Sequence, residues 1–73
     1  MTYQQEWIMR YAERDGGVSV RDVFMRFSIS AYRGRGLLTG LVTMGKLEQH
    51  ARRSGTYYAL PGRKLRDETE GEG

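Results

Sequence analysis

An α+β domain of three short helices followed by a β-hairpin is what this sequence predicts, and three observations predict it. Apolar residues recur at spacings of three and four as far as Met44, and the best strand-like run, Thr56-Tyr57-Tyr58-Ala59-Leu60, comes after them. Serine caps and glycines divide the helical part into three pieces. The chain has 73 residues and no cysteine, enough for one small core and without a disulfide framework.

In the first helix Tyr3, Trp7, Ile8, Tyr11 and Ala12 form an apolar stripe. Glu6, Arg10 and Glu13 lie on the other side, where they can pair at i,i+3 and i,i+4. Trp7 sits within the stripe and is expected to anchor the core. Asp15-Gly16-Gly17 ends this helix, because glycine takes the left-handed conformation of a C-terminal cap. Val18 is placed as a one-residue bridge. Ser19 and Asp22 then spell a variant capping box for a second helix, which buries Val20, Val23, Phe24 and Phe27 and turns Arg21, Asp22 and Arg26 outward. Ser28-Ile29-Ser30 is a tight turn, with Ile29 plugging the gap between helices and Ser30 capping a third helix from about Ala31 to Met44.

On a 100° wheel the third helix divides cleanly. Gly34, Leu37, Leu38, Leu41 and Val42 cluster on one side, while Tyr32, Gly36, Thr39 and Thr43 lie opposite, flanked by Arg33 and Arg35. Gly45 ends it. Leu47 to Arg52 reads as extended, Arg53-Ser54-Gly55 as a turn, and Thr56 to Leu60 as the second strand, with Tyr58 and Leu60 facing in and Tyr57 out. Two helices joined by so short a turn make a helix-turn-helix, and a hairpin after it is the wing of a winged helix. The expected organisation is a winged helix-turn-helix domain over residues 1–62 and a disordered charged tail over 63–73, where Leu65 is the one apolar residue.

Charge is distributed unevenly. Between residues 26 and 66 there are nine bases against the single acid Glu48, whereas Asp67 to Gly73 holds four acids and no base. A positive field of that kind attracts a polyanion. Tyr32, Arg33, Arg35 and Thr39 occupy the half of the third helix that reaches base edges in helix-turn-helix proteins. Arginine can grip guanine O6 and N7, and threonine can pack its methyl on thymine, so these four are the candidate base readers of double-stranded DNA. Arg52 and Arg53 at the wing tip, Arg21 and Arg26 on the second helix, and Thr43 are the candidate contacts to the DNA backbone, or to the minor groove from the wing.

Catalysis finds little support. His50 is the sole histidine and cysteine is absent, so neither a histidine-based metal cluster nor a Cys-His pair can be assembled. His50 is expected on a wing strand, pointing to solvent. Gly34-x-Gly36 lies inside a helix instead of after a strand and is no dinucleotide fingerprint. No enzyme activity, metal or cofactor is expected. The N-terminus carries no apolar signal core and no stretch is long enough to span a membrane, so a cytoplasmic, nucleoid-associated protein is expected.

The run SISAYRGRGLLTGLVTMGKLEQ (Ser28 to Gln49), preceded by Asp15-Gly16-Gly17 and followed by SGTYYAL (Ser54 to Leu60), resembles the small winged-helix regulators of fimbrial operons, the PapI/FaeA type. The resemblance covers residues 6 to 60. In that family a Ser/Thr cap and then Tyr-x-x-Arg open the recognition helix, and the matching positions here are Ser30, Tyr32 and Arg35. Gly34, Gly36 and Gly40 depart from the pattern, as does a one-residue difference before Tyr32. The resemblance implies an accessory transcription regulator, one that can act with a larger DNA-binding regulator.

The sequence therefore predicts a transcriptional regulator that binds duplex DNA specifically. Two alternatives stand beside it. One is a protein-interaction module, in which Tyr3, Met9 and Met25 join an exposed apolar patch. The other is an RNA-binding winged helix, which would use the same basic face.

Overall fold

The computed structural model describes residues 1–62. Three helices, α1 (Tyr3–Asp15), α2 (Val20–Phe27) and α3 (Ala31–Thr43), are followed by β1 (Glu48–Arg52) and β2 (Gly55–Ala59). Each helix starts at a hydroxyl cap. Thr2 accepts from the Gln5 amide while the Gln5 side chain accepts from the Thr2 amide, a reciprocal box that satisfies two orphan donors. Ser19 and Asp22 repeat the arrangement at α2, as their spacing predicts. Ser30 accepts from the Arg33 amide at 3.1 Å. Gly16 closes α1 in the left-handed region (φ 87°), its amide donating to the Ala12 carbonyl. α2 ends on Ser28 in the same region (φ 56°), which turns the chain sharply into α3.

β1 and β2 pair antiparallel, with Glu48 opposite Ala59 and Arg52 opposite Gly55, leaving Arg53 and Ser54 at the tip. Val18 adds a single bridge on the other edge of β2. Its amide and carbonyl exchange hydrogen bonds with Tyr58 at 2.8 and 2.7 Å, as the one-residue bridge expected there requires. β2 is therefore the middle strand. Ile8, Ala12, Val18, Val23, Leu38, Leu41, Leu47 and Tyr58 form the core between the helices and the root of the hairpin.

Two side chains of the hairpin depart from the sequence expectations. Tyr57 does not face out; it is 1% exposed. Register puts Tyr57 on one sheet face with His50 and Arg52. His50 stacks on its ring (centroids 5.2 Å, planes 19° apart), and the Arg52 guanidinium lies over it at 4.9 Å. Asp15, Gly17, Ser19 and Asp22 of the α1–α2 region stand across a cleft from this face. His50 does not point to solvent either, because its ring lies on Tyr57: its side chain is 21% exposed. Leu60, expected to face in, packs half-buried against the core just past the strand's end.

The stripe on α1 is also rotated from its expected position. Gln5, Ile8 and Ala12 are the buried residues, and on the wheel they fall within about 60° of one another, with Tyr3 almost opposite. Tyr3 is 65% exposed. Trp7 is half-buried and packs against the core from outside, between Tyr11 (5.0 Å) and Phe27 (5.3 Å).

Candidate nucleic-acid interface

The two sides of α3 serve different purposes. Leu38 and Leu41 fill the core, and Gly34 is buried where α3 packs on α2; a Cβ there would sit in ordinary contact, 3.6 Å from Phe24, Val20 and Val23 atoms. The outer side contributes nothing to that packing. Tyr32 is 84% exposed, and Arg33, Arg35, Gly36, Thr39 and Thr43 are all exposed beside it. These residues line one shallow groove along the helix, so the four expected base readers and Thr43 stand together. α3 contains no acidic residue. The positive end of its peptide dipole adds to Arg33 and Arg35 at its N-terminus, so an anion approaching this end meets no opposing charge from the helix.

The remaining expected contacts are dispersed. Arg21 is exposed on α2. Arg26 is exposed too, but its guanidinium lies over the rings of Trp7 (5.5 Å) and Phe27 (5.1 Å). Arg53 is exposed at the wing tip, where Gly55 takes a positive φ of 127° to complete the turn. Arg52 differs from its neighbour. It is half-buried on Tyr57, with its Nε enclosed and without a hydrogen-bond partner. A cleft lined by Asp15, Ser19, Asp22, Arg52 and Tyr57 separates the wing from the α1–α2 connection. Nearby, the Tyr11 hydroxyl titrates above its usual range, first because partial burial disfavours its charged form and then because the Asp22 and Asp15 carboxylates disfavour a further negative charge.

Gln5 is the residue that sequence reasoning missed. Its Nε2 donates to the Leu37 carbonyl at 3.2 Å, which ties α1 to the middle of α3. The signal was present, because Thr2-x-x-Gln5 is a capping-box spacing. Among the described residues no three His, Cys, Asp or Glu side chains are placed to hold a metal ion, and no helix is long and apolar enough to cross a membrane.

This architecture is similar to that of BpsR from Bordetella bronchiseptica, a protein whose DNA binding is regulated by 6-hydroxynicotinic acid. The two share 18% identity with a TM-score of 0.70, over 85% of this chain and 46% of that one. The fold is a winged helix-turn-helix. Within it α2 and α3 form the helix-turn-helix and the β1–β2 hairpin is the wing. The winged-helix chain spans a little under half the length of BpsR. No family profile matches the sequence, and no curated protein matches it.

Proposed function

We propose that this protein is a transcriptional regulator that binds double-stranded DNA sequence-specifically. α3 lies in the major groove, with Tyr32, Arg33, Arg35 and Thr39 at base edges. Arg21, Arg26, Thr43, Arg52 and Arg53 contact the backbone, with the wing arginines also placed to reach the minor groove. The observation that carries this reading is the outer face of α3. It is exposed, free of acids and lined by two arginines, and the core makes no use of it. A likeness in fold to a protein that binds DNA agrees with the reading. The resemblance to fimbrial-operon regulators extends it to an accessory regulator acting in the cytoplasm, on the nucleoid, beside a larger DNA-binding protein.

The test begins with selection of bound sequences from a random duplex pool. Arg35→Ala should then lose about 1–3 kcal/mol on the selected site and relax its preference at one or two base pairs. Unchanged binding by both Arg35→Ala and Arg33→Ala would remove α3 as the reading element. One observation favours a second reading, a protein-interaction module. Tyr3, whose ring meets Phe27, is exposed, as are Met25 (62%) and Met1, although Met9 is half-buried against the core. Selection that yields no preferred duplex, with RNA bound no better, would favour that reading.

A further inference from the structure

Opposite charges meet at the cleft between the wing and the α1–α2 end, and they do not close on one another. Asp15, Ser19 and Asp22 line it together with Arg52, while Val18 and the Tyr57 ring give it an apolar floor. Ion pairs among the described residues join Arg14 to Asp15 and His50 to Glu48, and none joins Arg52 to a carboxylate. A guanidinium and a carboxylate within reach of each other form a short, charge-assisted pair. Here the guanidinium lies 4.9 Å from the centre of the Tyr57 ring instead, and its Nε is enclosed without a hydrogen-bond partner. The acids are only partly engaged. Asp22 uses Oδ2 to cap α2, accepting from the Ser19 amide and hydroxyl, and its Oδ1 takes no part in that box. Asp15 accepts through Oδ1 from its exposed neighbour Arg14 at 3.3 Å. Both carboxylates act on one place, since the Tyr11 hydroxyl is raised above its usual value by partial burial and then by Asp22 and Asp15.

We propose that this cleft binds a small zwitterion, a free α-amino acid, with its ammonium group toward Asp15 and Asp22 and its carboxylate toward Arg52. The cleft holds about 320 Å³, at the lower end of the range for small-molecule sites, roughly 300–1,000 Å³. A cation alone would leave Arg52 unmatched. An anion alone would meet two carboxylates of its own sign. A molecule that carries both charges a few bonds apart answers all three side chains at once, and its own side chain lies on Val18 and Tyr57. Two carboxylates against one guanidinium leave one negative charge in excess, so neutral and basic amino acids fit and acidic ones do not.

The test uses the full chain labelled with nitrogen-15. It needs no DNA, so its outcome is separate from the reading of α3. The twenty L-amino acids are added one at a time while the backbone amide signals are followed by NMR. At least one neutral or basic amino acid should move the amides of Gly17, Ser19, Asp22 and Arg52 together, and aspartate and glutamate should leave them in place. The tightest binder is then compared with its N-acetyl and carboxamide forms, each of which removes one charge. Both should bind about tenfold more weakly, the size of one hydrogen bond to a charged group. Asp15→Asn should narrow the gap between the free and N-acetyl forms and keep the gap to the carboxamide. Arg52→Gln should do the reverse. Dispersed amide spectra show that the variants are folded, and the comparison of blocked forms on the wild type stands without them. Amides around the cleft that stay in place with all twenty would overturn the proposal. So would a blocked form that binds as tightly as the free amino acid, because one charge would then suffice.

Discussion

Gln5 joins two elements with one side chain, and its removal gives a prediction that can be worked from distances. Its Oε1 accepts the Thr2 amide at 3.1 Å and its Nε2 donates to the Leu37 carbonyl at 3.2 Å. At about 1 kcal/mol net for each bond, Gln5→Ala should cost about 2 kcal/mol, or roughly 8–16 °C in Tm for a domain of this size. Gly40 makes the test sharper. Gly40→Ala should gain about 1 kcal/mol of helix propensity. Its new Cβ, however, would come within 3.0 Å of the Gln5 Nε2 and displace the bond to Leu37, so the two changes cancel. In the Gln5→Ala background nothing remains to displace, and the same substitution should stabilise by about 1 kcal/mol, a coupling of about 1 kcal/mol across the pair. Urea and thermal unfolding of the four proteins measure it. If Gly40→Ala has the same effect in both backgrounds, Gly40 is not there to admit Gln5, and the account of the α1–α3 junction is wrong.

Two further perturbations address the wing and the α1–α2 end. Arg53→Ala should weaken binding to all duplexes alike and lower the salt slope by about one, with little change in Tm, since Arg53 is exposed at the wing tip. Arg52→Ala should lower the salt slope as well, but should also lower Tm by uncovering Tyr57; an unchanged Tm would mean that the cation–π contact contributes nothing. The Tyr11 hydroxyl is raised above its usual value of 10.0 in the folded protein by burial and then by Asp22 and Asp15. The folded state holds that proton more tightly than the unfolded chain does, so the stability this adds is complete below about pH 10 and is lost as pH rises through the raised value. Tyr11→Phe should therefore flatten the alkaline fall in Tm, and parallel curves for the two proteins would refute the assignment.

The helix boundaries were legible because they depend on local chemistry. Ser19 with Asp22, Ser30, and Gly16 each act within one turn of their own backbone, so sequence spacing alone suffices. The outer face of α3 was legible for a related reason. Leucines at helical spacing assign one side to the core, and Tyr32, Arg33, Arg35 and Thr39 can only lie on the remainder. Gln5 was harder to find: a polar residue enters the core only when distant partners satisfy it, and Leu37 lies 32 residues away.

Tyr57 marks where such reading stops. Alternation along β2 states that Tyr57 and Tyr58 lie on opposite faces, but it does not state whether one face or both are covered. The answer depends on Val18, which converts β2 from an edge strand into a middle one and brings Gly17 and Ser19 along with it. Once that side is occupied, Tyr57 becomes an interior residue, and His50 and Arg52 lose their outward places because they share its face. The consequence reaches the proposed interface. Of two adjacent wing arginines that look equivalent in the sequence, Arg53 is exposed at the tip, whereas Arg52 has its guanidinium held on Tyr57, so any contact it makes with DNA starts from a fixed position.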